Sequence, residues 1–374
     1  MIEQRLEDTL KLLESKSALR NLKLSNGMID FCSNDYLGLS TSEELHERVL
    51  NSFRQIGKSG SGGSRLLSGN HPLMEALEIQ LQNFHDTEAA LLFNSGYDAN
   101  LSIFGSIPQR GDLILYDSLV HASIHDGMRI GKAETKPFKH NDCVHLRQLL
   151  EASSSVKGQV FVAVESLYSM DGDLAALSDI AELCQSFGAA LIVDEAHATA
   201  VFGHNGVGRV QELGLQDKVF ARLHTFGKAI GGHGAAVLGS EILKKYLVNF
   251  ARPLIFSTAL SLYDIVHATE AYRLIGEKGE NHRLELHEKI QFFRSEIKSI
   301  SHKYTILDSI SPIQGIIIPG NEQVMSVANN LQRNGFDVRA IRYPSVAAGS
   351  ERLRICLHSY NSEDEIAQLI KLLH

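Results

Sequence analysis

Apolar runs in this chain end in residues able to bind or move charge. ALIV leads into Asp194, Glu195, Ala196 and His197, and VFVAV into Glu165 and then SLYSMDGD. AALLF is followed by Asn94, Ser95, Gly96 and Tyr97, and FARLH by Thr225, Phe226, Gly227 and Lys228. In parallel α/β sheets ligands gather at the carboxyl ends of the strands, so these are the residues from which chemistry is expected. A lysine amine, with an ordinary pKa of about 10.4, attacks a carbonyl carbon only after losing its proton, which a partly dry pocket favours. Lys228 lies between Phe226 and Ala229-Ile230 in HTFGKAIGGHG, neighbours that fit such a pocket better than an open surface.

A reactive lysine, a carboxylate and an anion site are the parts that pyridoxal 5′-phosphate needs. Lys228 is expected to hold the cofactor as a Schiff base. A carboxylate facing the pyridine nitrogen keeps that nitrogen protonated, so the ring accepts the electrons left at a substrate Cα. Asp194 is the best candidate, although an aspartate at a strand end also caps loops. His197 and Ser169 are placed to reach the ring's phenolic oxygen. His121, in DSLVHASIHDG, is free to lie flat on the ring, but chemistry alone does not choose it over a structural histidine. The phosphate calls for backbone N–H groups at a helix start, which Ser95, Gly96 and Tyr97 offer ahead of a helical pattern, with Thr225 as a further donor.

Two other motifs invite different chemistry. The string DEAH would hold Mg²⁺ in a nucleotide motor, but its partner loop is missing: Gly227-Lys228 is followed by Ala229, not Ser or Thr, and comes after DEAH. The segment GKSGSGGSRLLSGNHP, with Gly60, Gly62, Gly63 and Gly69, does not follow a strand and so fails the dinucleotide-binding context. It reads as a tight, mobile loop near the active site, or as a plain turn.

The elements that must position these residues are legible as apolar runs AALLFN, DLILYD, VFVAVE, ALIVDEA, FARLHTF and AAVLGS, separated by helical patterns such as LSDIAELCQSFG. Strands alternating with helices predict an α/β fold, a mostly parallel central sheet with helices on both faces. HPLMEALEIQLQNFHD predicts a helix with its proline at the start and Leu73, Leu77, Leu81 and Phe84 on one face. Leu6, Leu10 and Leu13 make residues 3–16 an amphipathic arm suited to packing on a partner subunit, ahead of the strand-like MIDFCSN. After residue 261 a long helical region leads to strand-like GIIIPG and RLRICL and a final helix, SEDEIAQLIKLLH. The expected organisation is an N-terminal segment 1–45, a large cofactor-binding domain 46–260 and a smaller α+β C-terminal domain 261–374.

Of 374 residues, 44% are hydrophobic and 21% charged, which excludes a disordered or fibrous chain. The formal net charge of -8 argues against broad attraction to nucleic acid or anionic membranes. Cys32, Cys143, Cys184 and Cys356 form no C-x-x-C pair, so neither a metal site nor a disulfide framework is expected and a reducing cytoplasm fits. Neither a signal peptide nor a run of ~18 apolar residues is found, so the chain is expected to be neither exported nor embedded.

Taken together, SNDYLG at 33–38, GSGGSR at 60–65, SGNH at 68–71, SMDGD at 169–173, VDEAH at 193–197, TFGKAIGG at 225–232 and ARPLIFSTAL at 251–260 resemble the α-oxoamine synthases, across nearly the whole chain. The resemblance implies a fold-type-I, homodimeric pyridoxal phosphate enzyme that condenses an amino acid with an acyl thioester and releases carbon dioxide. TFGKAIGG followed by GAAV, with ARPLIFSTAL, is most similar to the biotin-biosynthesis branch, which takes L-alanine and a pimeloyl thioester carried on coenzyme A or acyl carrier protein.

The same resemblance implies that Lys228 is the cofactor lysine, Asp194 the pyridine partner and His121 the stacking residue; a lowered pKa would also suit the Lys228 amine to take the Cα proton. Ser169 and His197 would bind the phenolic oxygen; Gly96, Tyr97 and Thr225 the phosphate; Ser257 or Thr258 that phosphate from the neighbouring subunit. Arg20, Asn34 and Ser345 match substrate-contacting positions, Ser345 standing where relatives often have threonine. Arg354, in ERLRICL, matches the arginine that pairs with the amino-acid carboxylate. Asn34 and His121 would hydrogen-bond the thioester or keto oxygen. Ser166 stands where many relatives have glycine. Glycine C-acetyltransferase and serine palmitoyltransferase share these cofactor residues and differ in amino acid and acyl pocket. A silent scaffold subunit of the same fold is disfavoured by the presence of the lysine, the aspartate and both histidines.

Overall fold

The computed structural model describes residues 1–25 and 27–374. Its larger unit comprises Leu37–Tyr168 and Leu174–Arg283. At its centre is a seven-stranded sheet made of β1 (Ala89–Phe93), β2 (Leu113–Asp117), β3 (Glu134–Phe138), β4 (Val160–Glu165), β5 (Ala190–Asp194), β6 (Ala221–Thr225) and β7 (Ala235–Gly239), in the order β1-β7-β6-β5-β4-β2-β3. β7 runs antiparallel to both its neighbours, and all other pairs are parallel. Continuous apolar runs rather than alternating ones follow from burial of both sheet faces. Ile103, Phe104, Ile124 and Leu247 pack over one face, and Leu146, Leu150, Ile180 and Leu183 over the other.

Six of the seven strands match the apolar runs; β3 does not. Its sequence, ETKPF, is exposed over its first four residues and carries two charges and a proline, the composition that protects a sheet edge. Its apolar signal is a single residue, Phe138, and its pairing with β2 defines it. The helix Pro72–Phe84 starts on its proline, as expected, and buries Met74, Leu77, Glu78 and Leu81. Leu73 and Phe84 are only half-buried, so the inward face is rotated by about one residue from the apolar stripe.

The smaller unit is assembled from three stretches, Met1–Tyr36, Ser169–Asp173 and Leu284–His374. It holds an antiparallel sheet in which β8 (Ile313–Ile317) pairs with Thr305–Ile306 and with β10 (Arg352–Cys356), which in turn pairs with β9 (Arg339–Ile341). Ile29–Asp30 pairs with Phe336–Asp337, joining the N-terminal segment to this unit. The helix Glu363–Lys371 begins with a capping box of Ser362 and Glu365. The arm helix Ile2–Ser15 buries none of its own side chains. Among the described residues, no helix is long and apolar enough to cross a membrane.

Candidate active site

Within the larger unit, the ends of β1, β5 and β6 open on a cavity of about 240 Å³. Its walls include Ser95, Gly96, Tyr97, His121, Asp194, His197, Thr225 and Lys228, together with Asn100, Ser123, Glu165 and His233. Lys228 is half-buried in the tight turn that leaves β6, where Gly231 N–H donates to the Lys228 carbonyl (2.8 Å) and Gly232 N–H to that of Phe226 (2.7 Å). Gly231 has φ +72°, and a Cβ there would lie 2.4 Å from the Ser40 nitrogen, so this turn admits only glycine.

Asp194, the last residue of β5, is buried and held from two directions. Ala196 N–H donates to its Oδ1 (2.9 Å) and Asn100 Nδ2 to its Oδ2 (2.8 Å). The second hydrogen of the Asn100 amide goes to Ser123 Oγ (2.9 Å), which lies 2.8 Å from His121 Nδ1. Ser123 N–H also donates to His121 Nδ1 (3.2 Å), so that nitrogen caps the helix Ala122–Ile130 and the ring is fixed. Burial pushes the His121 pKa below its ordinary value, with Asp194 opposing and Lys228 adding to the shift. Asn100 and Ser123 were missed by the sequence reasoning. The available signal was a polar residue, Asn100, one helical turn after Gly96 in an otherwise buried stretch.

The anion end is formed by the helix Gly96–Ser106. Ser95 caps it, its Oγ accepting from Asp98 N–H (3.1 Å), and the first-turn N–H groups have no intrahelical partner. A Cβ on Gly96 would lie 2.5 Å from Thr225 Cγ2, so β6 and the helix start meet with no room for a side chain. Thr225 Oγ1 donates to the Ala196 carbonyl (3.2 Å), and Tyr97 OH donates to Asp126.

The remaining candidates lie elsewhere. In the smaller unit, Arg354 Nε donates to the Ser169 carbonyl (2.6 Å) and Nη2 to Asn34 Oδ1 (2.9 Å), which also accepts from Tyr36 OH (3.0 Å). Arg20 Nη2 donates to Ser345 Oγ (2.9 Å). Ser257 and Thr258, in the larger unit, do not line the Lys228 cavity but a separate small one beside Arg65 and Asn94. The glycine-rich loop braces that segment: Ala259 N–H donates to the Gly63 carbonyl (3.0 Å), Leu262 N–H to that of Ser59 (2.9 Å), and Ser61 Oγ to that of Leu260.

A lysine in a strand-end turn, a doubly held aspartate and a helix N-terminus within one cavity have the donor and acceptor set that a phosphorylated pyridine aldehyde requires. Residues 26–373 match the family model described as aminotransferase class I and II, and the chain belongs to that family. Within it, the chain is 41% identical to 8-amino-7-oxononanoate synthase of Emericella nidulans, over 98% of this chain and 94% of the relative. It is similar to the crystal structure of 8-amino-7-oxononanoate synthase from Francisella tularensis (TM-score 0.78, 30% identity, 93% of this chain and 97% of the other). It is also similar to serine palmitoyltransferase from S. paucimobilis solved with a bound PLP–myriocin aldimine (TM-score 0.89, 25% identity, 98% and 95%).

Proposed function

We propose that the protein is a pyridoxal 5′-phosphate-dependent acyltransferase that condenses L-alanine with a pimeloyl thioester, giving 8-amino-7-oxononanoate, carbon dioxide and free thiol in biotin biosynthesis. The observation that carries this is the convergence of Lys228, Asp194 and the Gly96 helix start on one cavity. When bound, the cofactor supplies an electron sink for charge left at the substrate Cα. Lys228 would hold the cofactor's aldehyde carbon, and its Nζ, when free, would take the Cα proton. Asp194, fixed by Asn100 and the Ala196 amide, would keep the pyridine nitrogen protonated. His121, its orientation set by Ser123, would stack on the cofactor ring. Ser95, Gly96, Tyr97 and Thr225 would hold the phosphate, and His197 and Ser169 the phenolic oxygen.

Arg354 pairs with the alanine carboxylate, and Asn34 and His121 donate to the thioester or keto oxygen as charge develops there. Arg20 and Ser345 bind the acyl substrate. The enzyme acts as a cytoplasmic homodimer, in which Ser257 or Thr258 reaches the phosphate site of the neighbouring subunit. The test pairs alanine, glycine and serine with pimeloyl, acetyl and palmitoyl thioesters, on coenzyme A and on acyl carrier protein, and measures thiol release. Fastest release is expected from alanine with pimeloyl; a preference for glycine with acetyl or serine with palmitoyl would overturn the assignment.

A further inference from the structure

The arm that carries Arg20 is fastened by two side chains whose hydrogen bonds go to its main chain. The helix Ile2–Ser15 ends in a left-handed turn: Ser17 has φ +50°, and Ala18 N–H reaches back to the Leu13 carbonyl (2.8 Å). This turn points the following carbonyls toward the segment Arg342–Ser345. Arg342 Nη1 donates to the Ser17 carbonyl and Nη2 to that of Leu19 (3.2 Å), while Nη1 also touches Met325 Sδ (3.1 Å). Asn321 Nδ2 donates to the Lys16 carbonyl (2.9 Å), and its Oδ1 accepts from Tyr343 N–H (3.0 Å). A guanidinium beside the carbonyl-rich end of a helix is favoured by the helix dipole as well as by the bonds themselves. Arg20 then follows directly and meets Ser345.

The cavity next to this clamp, about 370 Å³, has Arg20, Lys23, Arg339 and Arg342 in its wall and no acidic side chain. Arg339 is paired with Asp337. No described carboxylate lies within ion-pair reach of Arg20 or Arg342. Such a wall favours a ligand whose end is anionic.

We propose that Arg342, assisted by Asn321, is a positioning residue that presents Arg20 to the distal carboxylate of a dicarboxylic acyl thioester and thereby sets selectivity against acyl chains ending in a methyl group. The proposal rests on the assignment of Arg20 and Ser345 to the acyl substrate made above. Arg342 is spent on main-chain carbonyls, so it acts through Arg20. The clamp is specific to arginine, because a lysine ammonium cannot span two carbonyls with a planar fork.

The test uses the cofactor-loaded full-length enzyme with L-alanine and either pimeloyl-CoA or heptanoyl-CoA, which has the same chain with a methyl end. Arg342→Ala is expected to raise KM for pimeloyl-CoA at least about tenfold, the loss of one charge-assisted hydrogen bond. KM for heptanoyl-CoA, KM for alanine and the bound-cofactor absorbance stay as in the wild type, so the pimeloyl-over-heptanoyl preference falls to that of Arg20→Ala. Arg342→Lys should recover only part of it. If Arg342→Ala does not fold, Asn321→Ala carries the same comparison. A preference kept in both Arg342→Ala and Asn321→Ala but lost in Arg20→Ala overturns the clamp and leaves the acyl-site assignment intact. A preference kept in Arg20→Ala overturns the assignment itself, and the clamp with it.

Discussion

The cavity around Lys228 and the cavity around Arg20 are built by opposite means. The first lies at strand ends, its aspartate buried and held by an asparagine from a neighbouring helix and an amide of its own loop. The second lies among exposed residues of an arm and a loop, and the Arg20–Ser345 bond joins positions 325 apart in sequence. Fixed dipoles in a dry site stabilise developing charge without reorganisation, which suits a step that moves a proton. Side-chain to main-chain bonds on a surface segment suit recognition of a substrate end, where adjustment costs little. The difference implies that changes in the first cavity act on turnover and cofactor retention, and changes in the second on KM.

The largest expected effect is at Lys228. Lys228→Ala should lower kcat by about 10²–10⁴-fold, the ordinary worth of a general base, in a single-turnover assay with added cofactor. A wild-type rate would break the division of labour. Next is Arg354→Ala, which removes the partner proposed for the amino-acid carboxylate and should raise KM for alanine about ten- to a hundredfold, with KM for the acyl thioester unchanged in steady-state kinetics. Gly96→Ala should weaken cofactor binding and destabilise the protein by about 1–3 kcal/mol, read by absorbance titration and denaturant unfolding, because its Cβ would meet Thr225 Cγ2 at 2.5 Å.

The smallest effect sharpens the contrast between buried and exposed charge. Glu195, next to Asp194, is fully buried; its Oε1 accepts from the Arg209 and Val210 amides (2.8 and 3.1 Å) and its Oε2 lies 3.8 Å from His224 Nε2. Burial pushes its pKa from the ordinary 4.5 up to about 7, against the opposing Arg222 charge. The folded state therefore binds more protons than the unfolded one between about pH 4.5 and 7, and Glu195 costs stability as pH rises through that window. Burial holds His85 down at about 3 and His224 well below its ordinary value, giving the reverse slope below about pH 6.5. Those histidines are present in both proteins, so the difference between wild type and Glu195→Gln isolates the glutamate. The variant should gain melting temperature relative to wild type as pH rises from 4.5 to 7; a constant difference would mean that Glu195 is not held neutral.

Most of the sheet was legible because both its faces are covered, so six strands read as apolar runs and their polar ends pointed to the cavity. β3 was not, since an edge strand is selected for charge rather than for burial. Lys228, Asp194 and the Gly96 turn carry their chemistry in residue type and in position after a strand. Asn100 and Ser123 were passed over for the converse reason: a polar residue within a helix reads as a solvated position until the fold turns it inward. Arg342 and Asn321 were equally hidden, because they act on main-chain carbonyls, which leave no mark on the partner's sequence. Ser257 and Thr258 line a separate cavity beside Arg65 and Asn94, and nothing in their sequence marks that distance from Lys228.

The central claim is that Lys228 is the residue bonded to the cofactor. Borohydride reduction of the cofactor-loaded enzyme, followed by proteolysis and mass spectrometry, tests it most directly. The expected result is a phosphopyridoxyl adduct on the peptide containing TFGKAIGG, absent from Lys228→Ala; an adduct on a different lysine, or none at all, would contradict it.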